Sequence, residues 1–283
     1  MPAMDDSKVY GGWFAPRPRL AAIRRVPEWD IVVGHGPVIA TAVHDGHRMR
    51  PALVPYLAVD EEERRRDEDP MTGVLAEVGD VRIRVRASRF EVDLNRPRSL
   101  ALSTNPEDTW GIRFWKGPLP PEELERSLAI HDRFRGMFSE LMDRMIDHWG
   151  CVLVLDLHSY NHRRDGSHAA PADPRGNPDI DLGITTLDPD RWGAVADRFA
   201  RELRRHRCGG REPDVRCNVR YPTGGDFPEW IHATWGADAC TISVEYKKVY
   251  MDEWTGQVDL GRLEDFREGL QAAVDAVRPE FMA

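Results

Sequence analysis

The chain has 283 residues, 41% hydrophobic and 31% charged, an ordinary globular composition that can bury a sizeable core as one large domain or two small ones. Its formal net charge of −9 argues against sequence-independent nucleic-acid binding, which needs basic surface against phosphates. No apolar run approaches the roughly 18–20 residues of a membrane span, no basic stretch followed by an apolar one opens the chain, and the four cysteines form no CxxC pair, so the expectation is a soluble cytoplasmic protein with reduced thiols.

Residues 1–29 carry scattered Pro, Gly and Arg without a period and read as an N-terminal arm, leaving about 30–280 as the core of a single domain. The apolar, β-branched run from Val38 to His44 predicts a buried strand, broken by Asp45-Gly46. Residues 51–66 predict a helix that ends highly charged, its Arg64-Arg65-Arg66 cluster reading as a solvated face. Val81 to Arg86 alternates strictly, as a strand with one wet face does. Pro120 and the acids behind it open a helix that runs to Trp149, before Gly150. Cys151 to Leu157 is almost continuously apolar, the pattern of a central strand covered on both faces. Residues 161–185 read as a long loop, 190–207 as a helix and 215–221 as a strand. Thr223-Gly224-Gly225-Asp226 reads as a turn into a helix through Trp235, Cys240 to Glu245 as another buried strand, and 259–277 as an amphipathic final helix. Strands alternating with helices predict an α/β, three-layer αβα fold, a mixed central sheet with helices on both faces.

Three of the buried strands end in polar clusters: His44-Asp45-Gly46-His47, Asp156-Leu157-His158-Ser159 and Glu245-Tyr246-Lys247-Lys248. Ligands bind beyond the carboxyl ends of strands in open α/β sheets. A lone histidine there is more often a packed, hydrogen-bonded residue, but three such clusters in one chain favour a site. His44 and His158 could supply two imidazoles to a catalytic zinc, which takes three protein ligands and keeps one position for water. Glu245, near the metal but not on it, could accept the proton of that water. Asp156 could orient His158, or simply accept a strand-end hydrogen bond. Asn95 and Arg96 offer amide donors and a guanidinium fork that suit a substrate carboxylate, although a salt-bridged loop arginine before Pro97 would leave the same trace. Ser159 and the following Tyr160-Asn161-His162-Arg163-Arg164 could line the pocket, Arg163 facing an acidic substrate or only the rim. Lys247 or Lys248 could contact substrate, or lie on the surface. Gly224 and Gly225 could let backbone approach a substrate, or only form a turn.

The ordered set resembles the N-formylglutamate amidohydrolase family, within the zinc carboxypeptidase and aspartoacylase superfamily. The resemblance rests on His44-Asp45-Gly46, Ser88-Arg89 with Asp93-Leu94-Asn95-Arg96, Asp156-Leu157-His158-Ser159, and Glu245-Tyr246-Lys247-Lys248-Val249-Tyr250, in that order between about residues 38 and 256. It implies a zinc-carboxypeptidase-like αβα fold, one Zn2+ ion and hydrolysis of an amide, N-formyl or N-acyl, in a small carboxylate-bearing substrate. By position it makes His44 and His158 metal ligands, Glu245 the general base, Asn95 and Arg96 the grip on the carboxylate, and Arg89 a group that polarises the scissile carbonyl or holds Arg96. For the third ligand it offers Asp69, in Asp67-Glu68-Asp69-Pro70, or His47, where the carboxypeptidase pattern has a glutamate. A peptidase or deacylase using the same site, or a non-catalytic metal- or metabolite-binding protein on this fold, are the rival readings. Oligomeric state stays open.

Overall fold

The computed structural model describes residues 22–109 and 111–282. They form one eight-stranded mixed sheet. The strands are β1 (Ala22–Arg25), β2 (Trp29–Val33), β3 (Val38–Ala42), β4 (Val81–Val85), β5 (Val152–Tyr160), β6 (Ile180–Gly183), β7 (Val215–Cys217) and β8 (Ala239–Lys247), in the spatial order β1-β2-β4-β3-β5-β8-β6-β7. The four central strands β4, β3, β5 and β8 are mutually parallel. β2 runs antiparallel to β4, and β6 antiparallel to β8. The helices are α1 (Glu61–Asp67), α2 (Thr72–Leu75), α3 (Pro121–Trp149), α4 (Pro189–Arg205), α5 (Asp226–Trp235) and α6 (Leu260–Val277).

The period of two along each strand decides which layer a residue joins. Val152 and Val154 of β5 enter the core shared with α3 and α5, whereas Leu153, Leu155 and Leu157 enter the core shared with α4 and α6. That two-sided burial is why β5 reads as a continuous apolar run. α3 starts at a proline with Glu122 and Glu123 in its first turn, and stops at Gly150, whose φ of 77° suits a residue without a Cβ. Asp188 caps α4 by accepting from the N–H groups of Asp190 and Arg191, and Asp259 caps α6 by accepting from that of Arg262.

Four expectations need correction. Residues 22–29 were expected in an arm, but Ala22–Arg25 and Trp29 belong to the β1–β2 hairpin, the rest of the arm lying outside the described residues. Of the expected 51–66 helix only residues 61–66 are α-helical, within α1. Pro51 and Pro55 lack an N–H to donate, and Asp60 starts the helix late by accepting from Glu63. The expected 161–185 loop contains β6, four residues too short to show alternation. The expected 215–221 strand stops at Cys217, because Asn218 turns with a φ of 55°. No helix of the described residues is long and apolar enough to cross a membrane.

Phe138 shows how the α3 layer is fastened. It is fully buried, and its ring meets Phe227 of α5 edge-on at 4.8 Å and Trp230 at 6.0 Å. Phe138→Ala is expected to cost about 3–5 kcal/mol, read as a lower midpoint of urea unfolding. A midpoint equal to that of the unaltered chain would show that this ring does not anchor the layer.

Candidate active site

Parallel pairing of β3, β5 and β8 brings their carboxyl ends together. His44 follows the end of β3 by two residues, while His158 of β5 and Glu245 of β8 stand in register as neighbours. Both imidazoles are buried, with ring centroids 4.8 Å apart. Between them lies Asp69, on the turn from α1 to α2. Its Oδ2 is 3.1 Å from His158 Nδ1 and 3.4 Å from His44 Nδ1, the latter a buried nitrogen without a hydrogen-bond partner. Ligand atoms of these three side chains all lie within 4.8 Å of one another, a group that could hold a metal ion.

The far nitrogens of both rings face carboxylates. His44 Nε2 is 2.7 Å from Asp93 Oδ1, and His158 Nε2 is 2.9 Å from Asp156 Oδ2. Asp156 is itself held by Thr41 Oγ1 at 3.2 Å and Ser243 Oγ at 3.4 Å. Such partners fix a ring's orientation and leave Nδ1 aimed at the cluster. Charge follows the geometry. Burial works to raise Asp69 and Asp93, yet the two imidazoles beside Asp69 hold it well below the usual carboxylate range, and His44 with Arg89 does the same for Asp93. Burial works to lower His158, but Asp156 and Asp69 raise it well above an ordinary histidine. Glu245 goes the other way. Burial lifts it to about 8, Asp69 and Asp156 add to the lift, and His158 and Arg89 oppose it.

A cavity of about 360 Å³ opens over the cluster, lined by His44, Asp69, Arg89, Asn95, Arg96, His158, Ser159 and Glu245. Eight of the expected site residues therefore share one pocket. Ser159 borders it too, although the alternation of β5 turns its side chain to the face opposite His158. Arg89 Nη2 is 2.9 Å from Asp93 Oδ2, and Arg96 Nε is 3.9 Å from the same oxygen. Asn95 is committed in part: its Oδ1 accepts from the Phe227 N–H at 3.0 Å, at the first turn of α5. Its amide nitrogen lies 3.4 Å from His158 Nε2.

Three expected residues are elsewhere. His47 is exposed and opens on a separate cavity beside Arg65 and Arg66. After Gly46, which lies against the Arg86 backbone, the chain pairs at Arg48 with Ala87 and leads away from the cluster. Of the two candidates for third ligand, the structure brings Asp69 to the imidazoles and not His47. Arg163 borders another cavity, its backbone N–H donating to Glu253 and its carbonyl accepting from Trp254 Nε1 at 2.9 Å. Lys247 Nζ pairs with Asp179 Oδ1 at 3.1 Å and does not line the pocket.

The sequence reading gave no role to Asp93, and none to Asp181 or Tyr221, which also line the pocket. Asp181 stands on β6 opposite Glu245 and accepts from the N–H groups of Val219 at 3.0 Å and Arg220 at 2.7 Å, fixing the turn that carries Tyr221. Asp93 had a readable signal, an acid inside a quoted motif between two arginines. Asp181 had none, because β6 itself was not legible.

A family model described as N-formylglutamate amidohydrolase matches residues 36–251. The crystal structure of an N-formylglutamate amidohydrolase from Ralstonia eutropha JMP134 superposes with a TM-score of 0.69 at 20% identity, covering 90% of this chain and 100% of that one. That of a gene product from Agrobacterium tumefaciens superposes with a TM-score of 0.60 at 17% identity, covering 88% and 96%. At these identities the two show a shared fold. No curated protein matches the sequence.

Gly225 ties the α5 turn to the pocket. A Cβ there would stand 2.4 Å from Asn95 Oδ1, so the glycine is needed for close approach. In a crystal structure of Gly225→Ala, the Asn95 amide is expected to leave its place beside His158. An unmoved Asn95 would show that the turn does not position it.

Proposed function

The chain belongs to the N-formylglutamate amidohydrolase family and is a hydrolase acting on an amide bond; from that premise we propose that it hydrolyses an N-formyl or other N-acyl amino acid with one zinc ion held by His44, Asp69 and His158. The observation that carries this reading is the donor set. Two buried imidazoles turn Nδ1 toward one carboxylate oxygen, one of those nitrogens has no hydrogen-bond partner, and carboxylates hold both rings from behind. Two nitrogens and an oxygen suit zinc, and a catalytic site keeps a further position open. A bound zinc ion would supply Lewis acidity, making a water acidic near pH 7 and stabilising charge on the scissile carbonyl oxygen.

The protein's own groups do the rest. Glu245 stands beside His158 at the pocket wall, where its carboxylate takes the proton of the attacking water and returns it to the leaving amine. Its raised pKa makes it a strong proton acceptor once ionised, and a cation held by the three donors would favour the ionised form. Arg96 and Asn95 receive the substrate carboxylate and so fix the amide relative to Glu245. Arg89, held by Asp93, faces the carbonyl oxygen with a second positive charge.

Metal analysis followed by a panel of N-formyl and N-acyl amino acids tests the reading, and no hydrolysis across the panel would overturn it. Glu245→Gln is expected to keep zinc and lose about 10²–10⁴-fold in kcat; full turnover would remove Glu245 as the base. His158→Ala is expected to purify without zinc by elemental analysis, and stoichiometric metal in that variant would sink the ligand assignment.

A further inference from the structure

Asp69 lies outside helix and strand, on a five-residue strap from Arg66 to Pro70 that begins in the last turn of α1 and leads toward α2. The last carbonyls of a helix have no partner within it, so something else must satisfy them where water does not reach. Here the partner is Lys248, 1% exposed. A fully buried lysine is rare and costly unless each of its three N–H donors is used. All three are. Nζ donates to Arg66 O at 2.7 Å, to Glu68 O at 2.6 Å and to Asn161 Oδ1 at 2.9 Å. Two residues on, the buried Tyr250 hydroxyl donates to Pro70 O at 2.8 Å. Asn161 closes the set, its amide donating to Arg66 O at 2.8 Å and to Asp67 Oδ1 at 3.1 Å.

The acceptors follow a rule. The carbonyls of residues 66, 68 and 70 are taken by side chains just beyond the ends of β5 and β8, and the residue left between the last two is Asp69. Its own N–H donates to the His44 carbonyl at 2.9 Å. The donors are not distant framework. Lys248 and Tyr250 directly follow the strand that carries Glu245, and Asn161 follows His158 by three residues. The Lys248 N–H also extends the ladder between those strands, donating to Tyr160 O at 3.0 Å.

We propose that Lys248 and Tyr250 are positioning residues for the metal centre: they hold the 66–70 strap so that the Asp69 carboxylate meets the two imidazoles. The inference rests on the metal reading above. Without the ammonium, the strap carbonyls must find water, and the cavity of about 650 Å³ that Lys248, Glu68 and Pro70 border gives water a way in. The strap then shifts, and Asp69 with it.

Zinc affinity by competition with a chelator, measured for the unaltered chain, Lys248→Met and Tyr250→Phe, tests this, together with peptide-level amide hydrogen exchange of the metal-free proteins. Lys248→Met is expected to raise the zinc Kd about 10–100-fold, the range for partners behind metal ligands, and Tyr250→Phe to raise it less. Faster exchange is expected in residues 61–72 and not across the sheet, which separates strap release from general loosening. If Lys248→Met does not fold, Tyr250→Phe decides, since it removes one hydroxyl only. A folded variant with unchanged zinc Kd and unchanged exchange in 61–72 overturns the inference. Failure of the unaltered chain to bind zinc would instead overturn the metal reading, and this with it.

Discussion

A single carboxylate oxygen, Asp69 Oδ2, lies within 3.4 Å of two imidazole nitrogens in a place that water hardly reaches. Buried charge is tolerated only when it is paired. The acids Asp93 and Asp156 stand behind the two rings, and Arg89 answers Asp93 from the other side. Remove that pairing, and three carboxylates around two rings would repel one another in a medium that screens poorly. The architecture supplies the partners from four separate stretches of chain: the end of β3, the strand β5, the α1–α2 strap and the loop at 88–96.

The layers explain how such a cluster can be held. Thr41, Asp156, His158, Ser243 and Glu245 occupy alternate positions on neighbouring parallel strands, so their side chains emerge on the face that α3 and α5 cover. The rigid part of the site is therefore a patch of sheet. The rest is loop, pinned where it matters: Asn95 to the first turn of α5, the turn carrying Tyr221 to Asp181. Strands carry His158 and Glu245, while loops carry His44, Asp69 and the groups proposed to meet the substrate.

Much of this was legible in the sequence. β3, β5 and β8 announce themselves because both their faces are buried, and their polar ends stand out against apolar runs. His44, His158, Glu245, Arg89, Asn95 and Arg96 meet in one pocket as the ordered motifs implied. Other residues did not follow from local pattern. Lys247 and Lys248 look alike in sequence, yet alternation sends one to Asp179 and the other beneath the strap. His47 sits three residues after His44, but a glycine against the Arg86 backbone leads the chain elsewhere. Asp181 was hidden because a four-residue strand between polar turns has too few positions to show a period. For the lysines and His47 the deciding contacts lie far apart in the chain, where no window of sequence contains them.

Asp93 has a consequence of a different kind. One of its oxygens faces His44, and the other faces Arg89 and, further off, Arg96. Two binding events that draw on the two oxygens of one carboxylate cannot have independent affinities. Whatever free energy an anion at the arginines adds to or takes from the imidazole side, a cation at the imidazole must return to the arginine side in equal measure. In the proposed reading, an anion at the arginines and a cation at the imidazoles would therefore be coupled through a single side chain of the short loop at 88–96, with no moving domain between them.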